Sequence, residues 1–106
     1  MVEYIREQLS EEELLCQLAE EATELAQAAL KLRRAYDGSN PTPVTGEKAF
    51  TNLQEEIADV KLLLKVLGMD GPNDRAKHSH IMQVKTARWA RRLEALKRGK
   101  ENDGKE

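Results

Sequence analysis

One cysteine, three prolines and four aromatic side chains are all that this chain of 106 residues contains of the types that cross-link, interrupt or bulk out a fold. The lone Cys16 excludes an internal disulfide, and in its run of Leu and Ala it reads as a small core residue rather than a nucleophile. Apolar runs of membrane-spanning length are missing, and the opening Met-Val-Glu-Tyr-Ile-Arg has neither the uninterrupted apolar stretch nor the cleavage pattern of a secretory signal. A soluble, cytoplasmic protein without a membrane partner is expected. Alternating strand patterns, internal repeats and low-complexity segments are also missing. Histidine is scarce: His78 and His80 stand two apart, point in different directions on a helix, and complete no Glu-x-x-His pattern of the kind that holds helical di-iron sites. Redox iron chemistry is therefore not expected.

What the chain does have is charge, amounting to 34% of its residues, and many Leu and Ala side chains, a composition suited to helices. The net charge of −2 conceals a segregation. Residues 1–71 carry 7 basic and 14 acidic side chains, while residues 72–106 carry 10 basic and 5 acidic. Such a layout suits an anionic ligand held through a cation on the acidic part and through basic side chains on the other.

Punctuation divides the sequence into three main helices. Ser10 followed by Glu13 is a capping-box signature that opens a helix running to about Tyr36 and closed by Asp37-Gly38. Residues 37–46 are dense in turn formers and make the one clear loop, with Asn40 to Thr45 a candidate cover for a site. A second helix is expected from about Glu47 to Leu67, ending at Gly68. Pro72 then starts a third, amphipathic and basic, that reaches about Arg98. Residues 2–8 carry a weak signal for a short leading helix. The expected organisation is one all-α domain over 1–98 and a flexible tail over 99–106.

Acidic clusters interrupt the apolar stripes of the first two main helices. Leu14, Leu18, Glu21, Leu25, Ala28 and Leu32 keep the spacing of a buried face, and Leu53, Glu56, Val60, Leu63 and Leu67 do the same on the next helix. Asp59 shares a row with Leu62 and Val66. Residues three apart on a helix have Cβ atoms roughly 5–6 Å apart, so Glu21 with Glu24 and Glu56 with Asp59 form two forks. If the helices pair antiparallel, four carboxylates face one another. A single Glu-x-x-Glu is usually a solvated face, but ionised acids in an apolar setting call for a raised pKa, a cationic partner or a metal ion. An all-carboxylate set selects Mg²⁺, with Mn²⁺ as the alternative, and Mg²⁺ in turn favours phosphate ligands. The basic third helix supplies complementary charge, and Gln17, one turn before Glu21, is placed to reach a nucleobase edge.

Leu18-Ala19-Glu20-Glu21 leading into Glu24-Leu25, then Glu55-Glu56-Ile57-Ala58-Asp59-Val60, and the late run Arg88-Trp89-Ala90-Arg91-Arg92-Leu93 together resemble the MazG-like, all-α nucleoside triphosphate pyrophosphohydrolases. The resemblance covers roughly residues 14–94. It implies hydrolysis of a nucleoside triphosphate to the monophosphate and pyrophosphate, with Glu21, Glu24, Glu56 and Asp59 as Mg²⁺ ligands and Glu20 and Glu55 as candidates for activating water. It places Arg88 and Arg92 on the phosphates, and Lys85 is a weaker candidate beside them. Two departures are visible. The interval of 31 residues between the acidic motifs exceeds the commonest family spacing, implying an enlarged loop, and Arg88 stands where Lys is frequent, keeping the charge.

Three amphipathic helices of this size leave apolar surface uncovered, so a homodimer or a tetramer of dimers is expected to complete a four-helix-bundle core, with Trp89 as a core or interface anchor. Two alternatives stand beside this reading. One is a non-catalytic helical module that binds nucleic acid or a partner through the basic helix, although nucleic acid is not the expected partner. The other is a relative acting on a different nucleotide such as phosphoribosyl-ATP.

Overall fold

The structure is a computed structural model that describes residues 1–39 and 44–103; the expected cover at Asn40 to Thr45 lies mostly outside the described residues. The described residues are helical without strands: α1 (Val2–Gln8), α2 (Glu11–Asp37), α3 (Gly46–Val66) and α4 (Pro72–Asp103). The all-α expectation holds, and α1 forms despite its weak signal. Two compact units divide the chain, Met1–Met69 and Asp70–Glu106.

The ends of α2 and α3 follow from local chemistry. The Ser10 hydroxyl accepts from the Glu13 N–H at 3.1 Å while the Glu13 carboxylate accepts from the Ser10 N–H at 3.3 Å, the reciprocal capping box that the spacing predicts. Gly38 ends α2 in the left-handed region at φ 74°, where a Cβ would be strained. Thr45 caps α3 by accepting from the Lys48 N–H at 3.1 Å, and Gly68 beyond its end takes φ 73°.

Within the first unit, α2 packs chiefly on α3, and α1 also reaches α3. Leu14 near the start of α2 clusters with Leu63 and Val66 near the end of α3, while Tyr36 at the end of α2 lies against Gly46 at the start of α3. The pair is therefore antiparallel. Val2, Ile5, Leu18 and Leu67 pack around the Leu14 cluster, and Ala28 and Ala49 are buried further along. Arg6 joins α1 to this end: its guanidinium donates to the carbonyls of Val66 and Lys65, the latter at 2.8 Å and also accepting from the Gly68 N–H at 3.0 Å, which places a cation at the C-terminus of α3.

Both apolar stripes carry the burial expected of them, but three positions differ from the sequence reading. Cys16 is exposed rather than core, because two positions beyond Leu14 turns it about 200° around the helix. Asp59 and Leu62 are exposed, although Val66 on the same row is buried. Val66 is covered by the Leu14 cluster, on which Val2 and Ile5 of α1 pack, whereas Asp59, two turns earlier, lies outside that cluster at the rim of the seam.

In the second unit, Pro72 is the first residue of α4, and the Asp74 carboxylate accepts from the Gly71 N–H at 3.2 Å. The helix continues past the expected end at Arg98 as far as Asp103, so the segment read as tail from residue 99 is helical that far. One glycine, Gly99, costs about 1 kcal/mol relative to alanine, which does not stop a helix this long. Among the described side chains of α4, none is buried.

Two substitutions should separate the contributions to the first unit. Leu14→Ala, at a position 4% exposed, is expected to destabilise by roughly 2–5 kcal/mol through lost burial and a residual cavity. Ser10→Ala should cost about 1 kcal/mol through the lost cap. Urea denaturation of both variants checks the ranking, and equal losses would contradict the packing described.

Candidate metal centre

Halfway along the antiparallel seam, Glu21 and Glu24 of α2 meet Glu56 of α3. One carboxylate oxygen from each lies within 4.8 Å of the other two, a grouping able to hold a metal ion. Glu21 and Glu56 are half-buried because they occupy stripe positions otherwise filled by Leu and Ala, whereas Glu24 is exposed at the edge. The Oε2 atoms of Glu21 and Glu56 are buried without a hydrogen-bond partner.

These surroundings oppose ionisation. Burial, followed by the charge of Glu24 and a hydrogen bond with it, and then by the charges of Asp59 and Glu56, pushes Glu21 up to about 7. Glu56 is raised for the same leading reason, burial, followed by the charges of Glu24 and Asp59. Asp59 thus acts on the cluster electrostatically while its oxygens lie outside the group of three. The expected four-carboxylate set is brought together as three, with Asp59 beside them.

Of the remaining candidates, Glu55 is exposed and lines a groove that runs from the cluster along α2 and α3, while Glu20 and Gln17 are exposed on α2 and do not line it. Lys85, Arg88 and Arg92 are exposed on α4 in the second unit, as is Trp89, which is not core. The groove has a volume of about 810 Å³ and starts at Glu24, Glu55 and Glu56. Its middle is formed by Gln27, Ala28, Ala49 and Asn52, and its far end by Lys31, Arg34 and Val44. The sequence reading had Ala28 in the buried stripe and Val44 within the candidate cover, but gave no site role to Gln27, Lys31, Arg34, Ala49 or Asn52. Their signal was nonetheless present, since Glu24, Ala28, Lys31 and Arg34 continue one helical stripe through the acidic motif.

The donor set fits a hard divalent cation. It offers carboxylate oxygens alone, on two rigid helices, and two of those oxygens are buried with nothing to bind. No helix among the described residues is long and apolar enough to cross a membrane. No family model, curated protein or solved structure matches the chain.

The raised pKa values set a pH dependence. A carboxyl with a higher pKa in the folded chain than in the unfolded chain retains a proton on folding, so its contribution is fully present below the unfolded value and lost as pH rises through the folded one. For Glu21 that window runs from about 4.5 to about 7. Without divalent cations, the unfolding midpoint should fall as pH rises across this window. Glu21→Gln should flatten the fall, and Mg²⁺ added above pH 7 should restore the wild-type midpoint. A midpoint that rises with pH equally in both proteins would contradict the electrostatic account.

Proposed function

We propose that this chain is a divalent-cation-dependent nucleotide pyrophosphohydrolase, cleaving a nucleoside triphosphate to the monophosphate and pyrophosphate. The observation that carries the reading is the convergence of Glu21, Glu24 and Glu56 on the α2–α3 seam, with the Oε2 atoms of Glu21 and Glu56 buried and unpartnered. The resemblance of the acidic motifs to the MazG-like enzymes supports the same conclusion.

In this reading Glu21, Glu24 and Glu56 hold Mg²⁺ or Mn²⁺, and Asp59 adds negative charge or a further oxygen from the rim. The bound cation supplies Lewis-acid stabilisation of charge developing on phosphate oxygens. Water adds to the α or the β phosphorus, the phosphoanhydride bond between them breaks, and the group on its other side, pyrophosphate or the monophosphate respectively, leaves with the bonding electron pair. Glu55, exposed on the groove wall next to Glu56, is the favoured acceptor for the proton of the attacking water, with Glu20 the other candidate. The resemblance assigns phosphate contacts to Arg88 and Arg92, with Lys85 a weaker candidate, all exposed on α4. The groove volume of about 810 Å³ falls within the range of small-molecule sites.

Exposed apolar side chains support the homodimer or tetramer that would complete a four-helix core. Trp89 is 69% exposed, Leu93 56% and Leu96 63%, and in the first unit Leu30, Phe50 and Leu62 are each at least half exposed. A second reading, a binding module for nucleic acid or a partner, is favoured by the unburied basic α4; it predicts binding that weakens with salt and needs no cation.

Pyrophosphate release from a panel of ribo- and deoxyribonucleoside triphosphates tests the activity. Release should require Mg²⁺, stop with chelator, and fall by at least about a hundredfold in Glu56→Gln while the helical content is retained. Salt-sensitive nucleic-acid binding with no release would favour the second reading. Trp89→Glu should shift the species seen in sedimentation velocity to monomer; an unchanged assembly would place the interface elsewhere.

A further inference from the structure

The groove extending from the carboxylates is chemically polarised. Its acidic end carries Glu24, Glu55 and Glu56, and its far end carries Lys31 and Arg34. All of these residues belong to the first compact unit, so the polarity is independent of α4. Lys31 lies seven residues beyond Glu24, two helical turns or about 10 Å along α2, and Arg34 lies one turn further on nearly the same face. Between them, Ala28 and Ala49 are buried on the groove's course, and their small side chains leave room above the seam. Gln27 and Asn52 flank this stretch with amides that can donate to anionic oxygens.

An anion alone would be repelled from the acidic end, and a cation alone would occupy only that end. A ligand that brings a cation to one end and extends negative charge to the other satisfies both. We propose that the α2–α3 groove takes the phosphate chain of a nucleotide lengthwise, with Lys31 and Arg34 receiving the phosphates remote from the carboxylate-bound cation. This rests on the cation reading of Glu21, Glu24 and Glu56 and extends it by assigning two cationic side chains that the acidic motifs do not contain. Arg34 supplies a planar fork suited to two phosphate oxygens, and Lys31 a mobile point charge.

Inorganic tripolyphosphate with saturating Mg²⁺, titrated calorimetrically into the full chain, separates this from other uses of the groove. Lys31→Ala and Arg34→Ala should each weaken binding by roughly tenfold or more, the loss expected for a charge-assisted contact, while Lys31→Arg retains most of it. Circular dichroism confirms that the variants remain helical. Adenosine monophosphate with Mg²⁺ should be affected much less, because its single phosphate occupies the cation end. Tripolyphosphate binding unchanged in both alanine variants would overturn the proposal, as would a loss confined to the monophosphate, which would put the nucleoside at the basic end. Mn²⁺ uptake by wild type, followed by electron paramagnetic resonance without phosphate, reports on the acidic end separately. If wild type binds no Mn²⁺, the cation reading fails, yet tripolyphosphate binding lost in the alanine variants would still uphold the basic end.

Discussion

Three carboxylates brought within 4.8 Å of one another on a half-buried helix seam repel each other and lose hydration together, and the architecture of the first unit is arranged around that cost. The cost is met at low pH by retained protons, which is why Glu21 is displaced to about 7. Near neutral pH, protons no longer suffice, and a divalent cation is the neutralising group that the donor set fits. A stripe of Leu at positions 21 and 56 would give a more stable helix pair, so the acids stand at a place where stability is conceded.

The rest of the first unit holds those groups in position. The Leu14, Leu63 and Val66 cluster, reinforced by α1 and by Arg6 on the end of α3, fixes the seam on one side of the carboxylates. Ala28 and Ala49 fix it on the other while keeping the helix surfaces low enough for a groove. The acidic and basic ends follow from side chains recurring at helical intervals along a single face of α2. Positioning and electrostatics thus come from the same two helices, and rigid helices hold ligand oxygens more accurately than loops do.

Much of this was legible in the sequence where the signal is local and periodic. The capping box at Ser10 and Glu13, the glycine stops at 38 and 68, and the interruption of apolar stripes by Glu21 and Glu56 each follow from spacing alone. Legibility failed where the answer depends on angle or on a neighbour's face. Asp59 shares a row with Val66, but only Val66 is covered by the Leu14 cluster on which α1 packs, and Cys16 lies in an apolar run yet turns away from the seam. α4 runs past Arg98 to Asp103, since the single glycine at 99 costs only about 1 kcal/mol. Lys31, Arg34 and Asn52 went unread because their importance appears only when α3 is laid against α2.

A crystal of the full chain grown with Mn²⁺ and examined by anomalous scattering tests the central claim most directly. The account predicts an anomalous peak coordinated by oxygens of Glu21, Glu24 and Glu56. Carboxylates paired instead with lysine or arginine side chains, with no peak between them, would contradict it.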